Sequence, residues 1–235
     1  MKNNLISLWS ASLYAVAGMC LLPLSGFAFG ESLSVETFYG AAQKDLLKIY
    51  DEKLGKTDIA GVNIIFSKTL QSGIVLPNSQ RVVPEFFGMF SVGTGSESVS
   101  YTEASNSWRR TIKLDADILT VSALGGADLR WWITDNFSVT GGVKLGLNYT
   151  DLTGTLVYRE TGYETDRFSV GSNDVGFVYG IGVGGAYKFN KNHSVEFGLD
   201  YMSFGTQPKF HAWTDSERVK KQSYVMVSLG YKYTF

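Results

Sequence analysis

A chain of 235 residues has room for one or two domains, and an all-β barrel of this size commonly forms as one. The net charge of -1 leaves no basic footprint for nucleic acid. Aromatic residues at 14% and 26 glycines are both abundant, while charged residues at 18% fall below the roughly one quarter usual in soluble domains. Beyond residue 30 no uncharged apolar run is long enough for a spanning helix.

The N-terminus reads as an export signal. Lys2 precedes the apolar run 13–24, and "SGFAFG" supplies the small residues of a cleavage site, with Ala28 and Gly30 at the two recognised positions. This predicts a cleaved signal over 1–30 and one barrel domain over 31–235. Cys20 is the only cysteine and lies inside the signal, where the bulky Met19 before it argues against a lipid anchor. The mature chain is therefore expected to have no disulfide and no thiolate chemistry.

After the signal, amphipathic strands follow one another. Strand 1 is expected over 32–42 and strand 2 over 58–70. The 43–57 stretch between them is expected to be an external loop with one or two helical turns, because Leu46, Leu47, Tyr50 and Leu54 have helical spacing. Strand 3 covers 81–95, and the polar "GSESVSYTEASNSWRRTIK" after it reads as a long loop. Strands 4 and 5, near 114–133 and 137–157, are joined by the short "TDN". A second long loop, "YRETGYETDRFSVGSN", leads to strand 6 near 174–189, which "NKNH" connects to strand 7 near 194–207. The loop "PKFHAWTDSERVKK" precedes strand 8, "QSYVMVSLGYKYTF".

Short and long connections thus alternate, the layout of an outer-membrane barrel with short periplasmic turns and longer external loops. The uniform face of the strands is the apolar one, as in Val225, Val227, Leu229, Tyr231, Tyr233 and Phe235 of strand 8. The expected fold is all-β: an eight-stranded antiparallel up-and-down transmembrane β-barrel with both mature termini in the periplasm.

One stretch invites a different reading. Gly180, Gly182 and Gly185 spell G-x-G-x-x-G, and Asp200 follows at the distance of a ribose-binding acid. A dinucleotide turn must open a helix, whereas "AYKFNKNHSVEFGLDY" continues as strand, turn and strand. The glycines belong to a barrel strand, and no cofactor is expected.

Two-residue alternation places Glu36, Glu85, Asp128, Glu196 and Asp200 on the inner face with Arg81, Arg130, Lys144, Lys188 and Lys232. Five acids facing five bases point to paired networks across a filled lumen, since isolated buried charge is expensive. Charges near strand ends, Arg81 and Lys188 among them, are equally compatible with interfacial water.

The signal, the eight strands, the loop alternation and the terminal "YKYTF" resemble the small outer-membrane barrels of the opacity-protein, Ail and OmpX type. That resemblance implies recognition of Leu229, Tyr231, Tyr233 and Phe235 by the barrel-assembly machinery, with outer-membrane lipids and lipopolysaccharide as surroundings. It supports no particular activity, because such barrels carry different functions in different loops.

Two functional classes remain. A lipid A-modifying enzyme needs a histidine near a hydroxyl and an acid; His211, Asp215, Ser216 and Glu217 supply those types in one external loop, while His193 lies on a periplasmic turn. Crowded polar loops are common, and a solvated loop is the plainer reading. A structural or surface-binding role rests on Trp108, Arg109 and Arg110 in one loop and Trp213 in another, aromatics beside cations that suit a lipopolysaccharide phosphate, a host glycan or a partner protein. A narrow-pore porin is a further alternative.

Overall fold

Every barrel strand pairs antiparallel with the next along the chain, and the last pairs with the first. In the computed structural model the described residues are 31–43, 47–49, 52–54, 56–70, 73–76, 80–105, 107–212, 215–218 and 221–235. The barrel strands are β1 (Ser32–Ala42), β2 (Ile59–Thr69), β3 (Arg81–Ala104), β4 (Arg109–Trp132), β5 (Phe137–Glu160), β6 (Asp166–Lys188), β7 (His193–Phe204) and β8 (Ser223–Thr234). Closure runs from Ser32 opposite Thr234 to Ala42 opposite Tyr224. The expected export signal over 1–30 and Trp213 lie outside the described residues.

The stagger of the ring follows from its register. From Val227, pairing through Leu199, Val183, Gly141 and Leu129 reaches Pro84 on β3. In the other direction it passes Tyr39 and Ala60 and reaches Thr94, ten residues further along the same strand. Eight strands with this stagger tilt by about 40° and enclose a backbone radius of about 8 Å. Such a lumen has room for side chains and little else.

Side-chain oxygens make the two short turns. Thr134 Oγ1 accepts from the backbone N–H groups of Asn136 (3.3 Å) and Phe137 (3.0 Å). Asn190 Oδ1 accepts from those of Asn192 (2.9 Å) and His193 (3.1 Å). These local bonds favour the reversal before any strand pairing forms.

At the opposite end the structure corrects the expected loops. "GSESVSYTEASNSWRRTIK" is mostly paired strand, with β3 and β4 in register up to Ala104 opposite Arg109. "YRETGYETDRFSVGSN" likewise pairs as far as Tyr158 opposite Asp166. Only the short tips between Ala104 and Arg109 and between Glu160 and Asp166 lie outside these strands, the second with Gly162 at φ 86°, a conformation open to glycine without a Cβ clash. The 43–57 segment holds two short strands, Leu47–Ile49 and Glu52–Leu54, paired with each other in place of the expected helical turns. The backbone prefers a paired ladder here because β3–β6 already run side by side.

The lumen is layered. A charged layer occupies the half nearer the two short turns. Above it Phe38, Ile59, Met89, Leu124, Val178, Met202, Phe204, Tyr224 and Met226 pack as an apolar plug. A polar belt follows, in which Ser122 donates to Asn148 (2.6 Å), Asn148 to Thr150 (2.7 Å), and Thr150 meets Thr206 (2.8 Å). Ile112, Leu114, Ala116, Ile118, Leu152 and Leu156 form a second apolar cluster beyond it.

The glycines of the G-x-G-x-x-G stretch serve this packing. Gly182 sits opposite Asp200, and a Cβ on it would lie 1.8 Å from Asp200 Oδ1. The acid at its characteristic distance is therefore the cross-strand neighbour that the glycine accommodates. Gly182→Ala is expected to destabilise the barrel by about 1–3 kcal/mol through overpacking. Gly88→Ala, whose added Cβ meets nothing within 4 Å, should stay close to wild type. Urea titration of the protein in micelles, read by heat-modifiability on gels, compares the two.

Candidate functional site

Two regions concentrate chemistry: the charged layer of the lumen and the projecting ends of β3–β6. In the lumen, Arg130 Nε donates to Glu85 Oε2 (2.7 Å), its Nη2 to Glu196 Oε1 (2.8 Å) and its Nη1 to Ser138 Oγ (3.0 Å). Lys232 reaches the same two carboxylates, bonding to Glu85 and lying 3.5 Å from Glu196. Ser67 donates to Glu85, and Ser34 to Glu196 at 3.0 Å. Two cations and two carboxylates thus form a closed cycle among β3, β4, β7 and β8, braced by serines from β1, β2 and β5. Lys144 pairs separately with Asp200 at 2.7 Å.

A cavity of about 70 Å³ lies in this layer, lined by Glu36, Glu85, Asp128, Arg130, Lys144, Glu196, Asp200 and Lys232. These are eight of the ten charges that alternation assigns to the inner face. Arg81 is exposed at the short-turn end, and Lys188 sits at the same exit with its ammonium 5.6 Å from the Trp132 ring centroid. Within the cavity five acids therefore meet three bases, which corrects the expected balance. Alternation reports the face of a residue and says nothing of its height. Glu36 and Asp128 have no ion-pair partner among the described residues; Asn63 Nδ2 approaches Glu36 at 3.5 Å.

The projecting strands invert the polarity of the barrel. The row Val92, Val121, Tyr149 and Val175 closes the outward apolar face. Two residues further out the same face reads Thr94, Leu119, Asp151 and Asn173, then Ser96, Asp117, Thr153 and Gly171. The inner face changes in the opposite sense, carrying Val99, Leu114, Leu156 and Phe168 in one row. Apolar-out becomes apolar-in along continuous strands.

The residues expected to form an external binding cluster separate by alternation. Trp108 is half-buried at the tip. Arg110 points inward, its Nη2 2.7 Å from Glu103 Oε2 and its guanidinium 5.9 Å from the Trp108 ring centroid. Arg109 points outward and is exposed, while its backbone N–H donates to Thr161 Oγ1 at 2.9 Å, tying the two tips together. His211 and Ser216 lie opposite each other in the small hairpin formed by Lys209–Ala212 and Asp215–Arg218. His193 opens β7 at the short-turn end, bonded to Tyr231. Leu229, Tyr231, Tyr233 and Phe235 share the outward face of β8 and its terminus, all exposed. The Phe235 N–H donates to Glu31 O at 2.8 Å.

No family model matches the chain, and no curated protein matches it. Solved structures do. Neisserial surface protein A is 14% identical, with a TM-score of 0.44 over 87% of this chain and 96% of its own. OprG of Pseudomonas aeruginosa is 13% identical, with a TM-score of 0.45 over 88% and 97%. Ail of Yersinia pestis is 16% identical, with a TM-score of 0.40 over 87% and 97%. The chain itself is an eight-stranded antiparallel up-and-down barrel.

The lumen makes a direct energetic comparison. Glu85→Gln leaves Arg130 and Lys232 to share the single carboxylate of Glu196 in a buried site and is expected to cost about 3–5 kcal/mol. Asp128→Asn removes a carboxylate without an ion-pair partner and should cost less than about 1 kcal/mol. Denaturant unfolding of both variants in one lipid system measures the difference.

Proposed function

We propose that this protein is an integral outer-membrane barrel that anchors and displays a rigid outer lobe, with a structural or surface-binding role. The observation that carries the reading is the polarity inversion beyond the Val92–Val121–Tyr149–Val175 row. Below it, exposed Leu145, Phe177, Ile181, Val183, Leu199 and Leu229 form a belt suited to hydrocarbon; above it the outward face is mostly Ser, Thr and charge, with Leu119 and Val157 as apolar exceptions. Outer-membrane lipids and lipopolysaccharide would surround the belt. Tyr187, Phe189, Tyr231, Tyr233 and Phe235 lie towards the periplasmic end, where aromatic rings favour an interface.

The apolar plug favours display over transport, since it crosses the lumen with large side chains. Planar-bilayer recordings of the purified protein should then show no stable openings. Reproducible openings would favour a narrow-pore porin. Mass analysis of lipid A after deletion of the gene should find its acylation unchanged; altered acylation would direct attention to His211 and Ser216.

Single cysteines test the placement. In intact cells, Cys at Thr155 or Ser98 should react with a membrane-impermeant maleimide. Cys at Val183 or Leu229 should not react, and Cys at Lys191 should react only after the outer membrane is opened. Labelling at Val183 equal to that at Thr155 would overturn the membrane assignment.

The C-terminal strand is the proposed docking signal for the assembly machinery. Deleting Phe235 is expected to reduce the heat-modifiable, membrane-inserted fraction several-fold more than Trp213→Ala does. The deletion acts on the strand whose pairing removes the last free edge of the barrel. Insertion at the wild-type level would show that the signal lies elsewhere.

A further inference from the structure

The outer lobe sorts its charges by face and by height. Its inner side carries Glu97, Glu103, Glu160 and Asp166 with the single cation Arg110. Its outer side carries Asp115, Asp117 and Asp151 in the rows nearer the barrel and the exposed Arg109, Lys113, Arg159 and Arg167 in the rows towards the tips. Arg159 is opposite Thr111 on β4, so Arg109 and Lys113 are its diagonal neighbours; Val157 is opposite Arg167, which places Arg167 diagonally on β6. Diagonal positions on one sheet face lie about 7–8 Å apart, within reach of long side chains.

Arg159 therefore stands among three like charges. Lys113 is partly offset by Asp115, whose carboxylate it meets at 2.9 Å. That ammonium and the Ser98 hydroxyl hold the Asp115 carboxyl below its usual range. Arg109, Arg159 and Arg167 have no carboxylate partner among the described residues. Like charges gathered on a sheet face are destabilising on their own, and they become favourable once an anion spans them. Guanidinium forks suit phosphate and sulfate oxygens in particular.

We propose that this outward face of β4–β6, centred on Arg159, binds a polyanionic saccharide carrying sulfate or phosphate groups. The proposal rests on the outer-membrane reading above. The ligand comes from outside the cell and not from the bilayer that holds the barrel. Arg159 lies ten residues beyond Tyr149 on β5, which at about 3.3 Å per residue and a tilt of about 40° is roughly 25 Å above the apolar edge. The outward rows in between carry Asp115, Asp117 and Asp151, which repel membrane phosphates. The Ser and Thr residues beside them offer neutral donors and acceptors but no opposing charge on the arginine rows.

The test uses the purified barrel in zwitterionic nanodiscs free of lipopolysaccharide, with dextran sulfate as the probe and uncharged dextran as the blank. Binding to dextran sulfate alone is expected, weakening steeply with salt. Arg159→Glu should reduce affinity about tenfold or more, because it reverses the charge beside three cations. Lys191→Glu makes the same change in net charge on the periplasmic turn and should leave affinity unchanged. Equal losses in the two variants would overturn the assignment to this face. So would absence of binding by wild type in which Thr155→Cys labels in whole cells, a result that leaves the membrane reading standing. If lipopolysaccharide vesicles bound through Arg159 and dextran sulfate did not, the external source would be wrong.

Discussion

Moving a carboxylate out of water costs several kcal/mol unless a cation and hydrogen bonds meet it. The cycle of Glu85, Arg130, Glu196 and Lys232 meets that condition inside the barrel, and the ring depends on it. Each member comes from a different strand, so the cycle forms only when four strands stand in one register. A slip of a single residue on β3 would turn Glu85 towards the apolar outside and leave Arg130 and Lys232 with Glu196 alone. An eight-stranded tube offers register little help from its outer surface, where one apolar side chain replaces another at small cost. The specificity resides in the lumen.

The lobe depends on the barrel in turn. β3–β6 leave the barrel already paired, so extending them adds backbone hydrogen bonds without a new closure cost. In the proposed outer-membrane placement, what changes at the Val92–Val121–Tyr149–Val175 row is the solvent. The outward face turns from apolar at Val121 and Tyr149 to polar at Asp117 and Thr153, and the apolar residues move to the inner side. There Leu114, Leu152 and Leu156 are nearly inaccessible, which gives the lobe its own small core. One set of strands thus serves two solvents with a single inversion of the period-2 pattern.

Much of the barrel was legible in the sequence because period 2 needs no alignment to detect. All eight strands, their order and their outward faces follow from it. The lobe escaped for a physical reason. Its outward residues, Ser96, Ser98, Ser100 and Thr102, are those of a soluble surface, and in "GSESVSYTEASNSW" only Val99 and Tyr101 mark an inner face. A search for apolar-out strands reads that pattern as loop. The same bias grouped Trp108, Arg109 and Arg110 as neighbours, although adjacent strand residues point apart. Period 2 assigns the charges a face but no height, so it does not separate Arg81 and Lys188, which do not line the cavity, from the eight charges that do. Lys113, Arg159 and Arg167 had no signal in the linear sequence, since it takes the register of β4, β5 and β6 to bring them together.

In the proposed surface-binding reading, recognition belongs to the lobe and not to the lumen. The apolar plug of Phe38, Met89, Leu124, Met202 and Tyr224 packs above the charged cavity. The lobe, by contrast, exposes flat sheet whose side-chain directions are set by alternation and whose tips span only 105–108 and 161–165. A flexible loop of the same length would lose conformational entropy on gripping a ligand, at about 0.5–1.5 kcal/mol for each side chain immobilised and more for the backbone. Here the backbone is ordered before any ligand arrives. Arg109, Lys113, Arg159 and Arg167 keep their spacing in the free protein, and the Thr161–Arg109 bond between the tips holds neighbouring hairpins at one angle. Charge that is fixed in this way discriminates by the spacing of the anions it meets, which a mobile loop of equal charge would not.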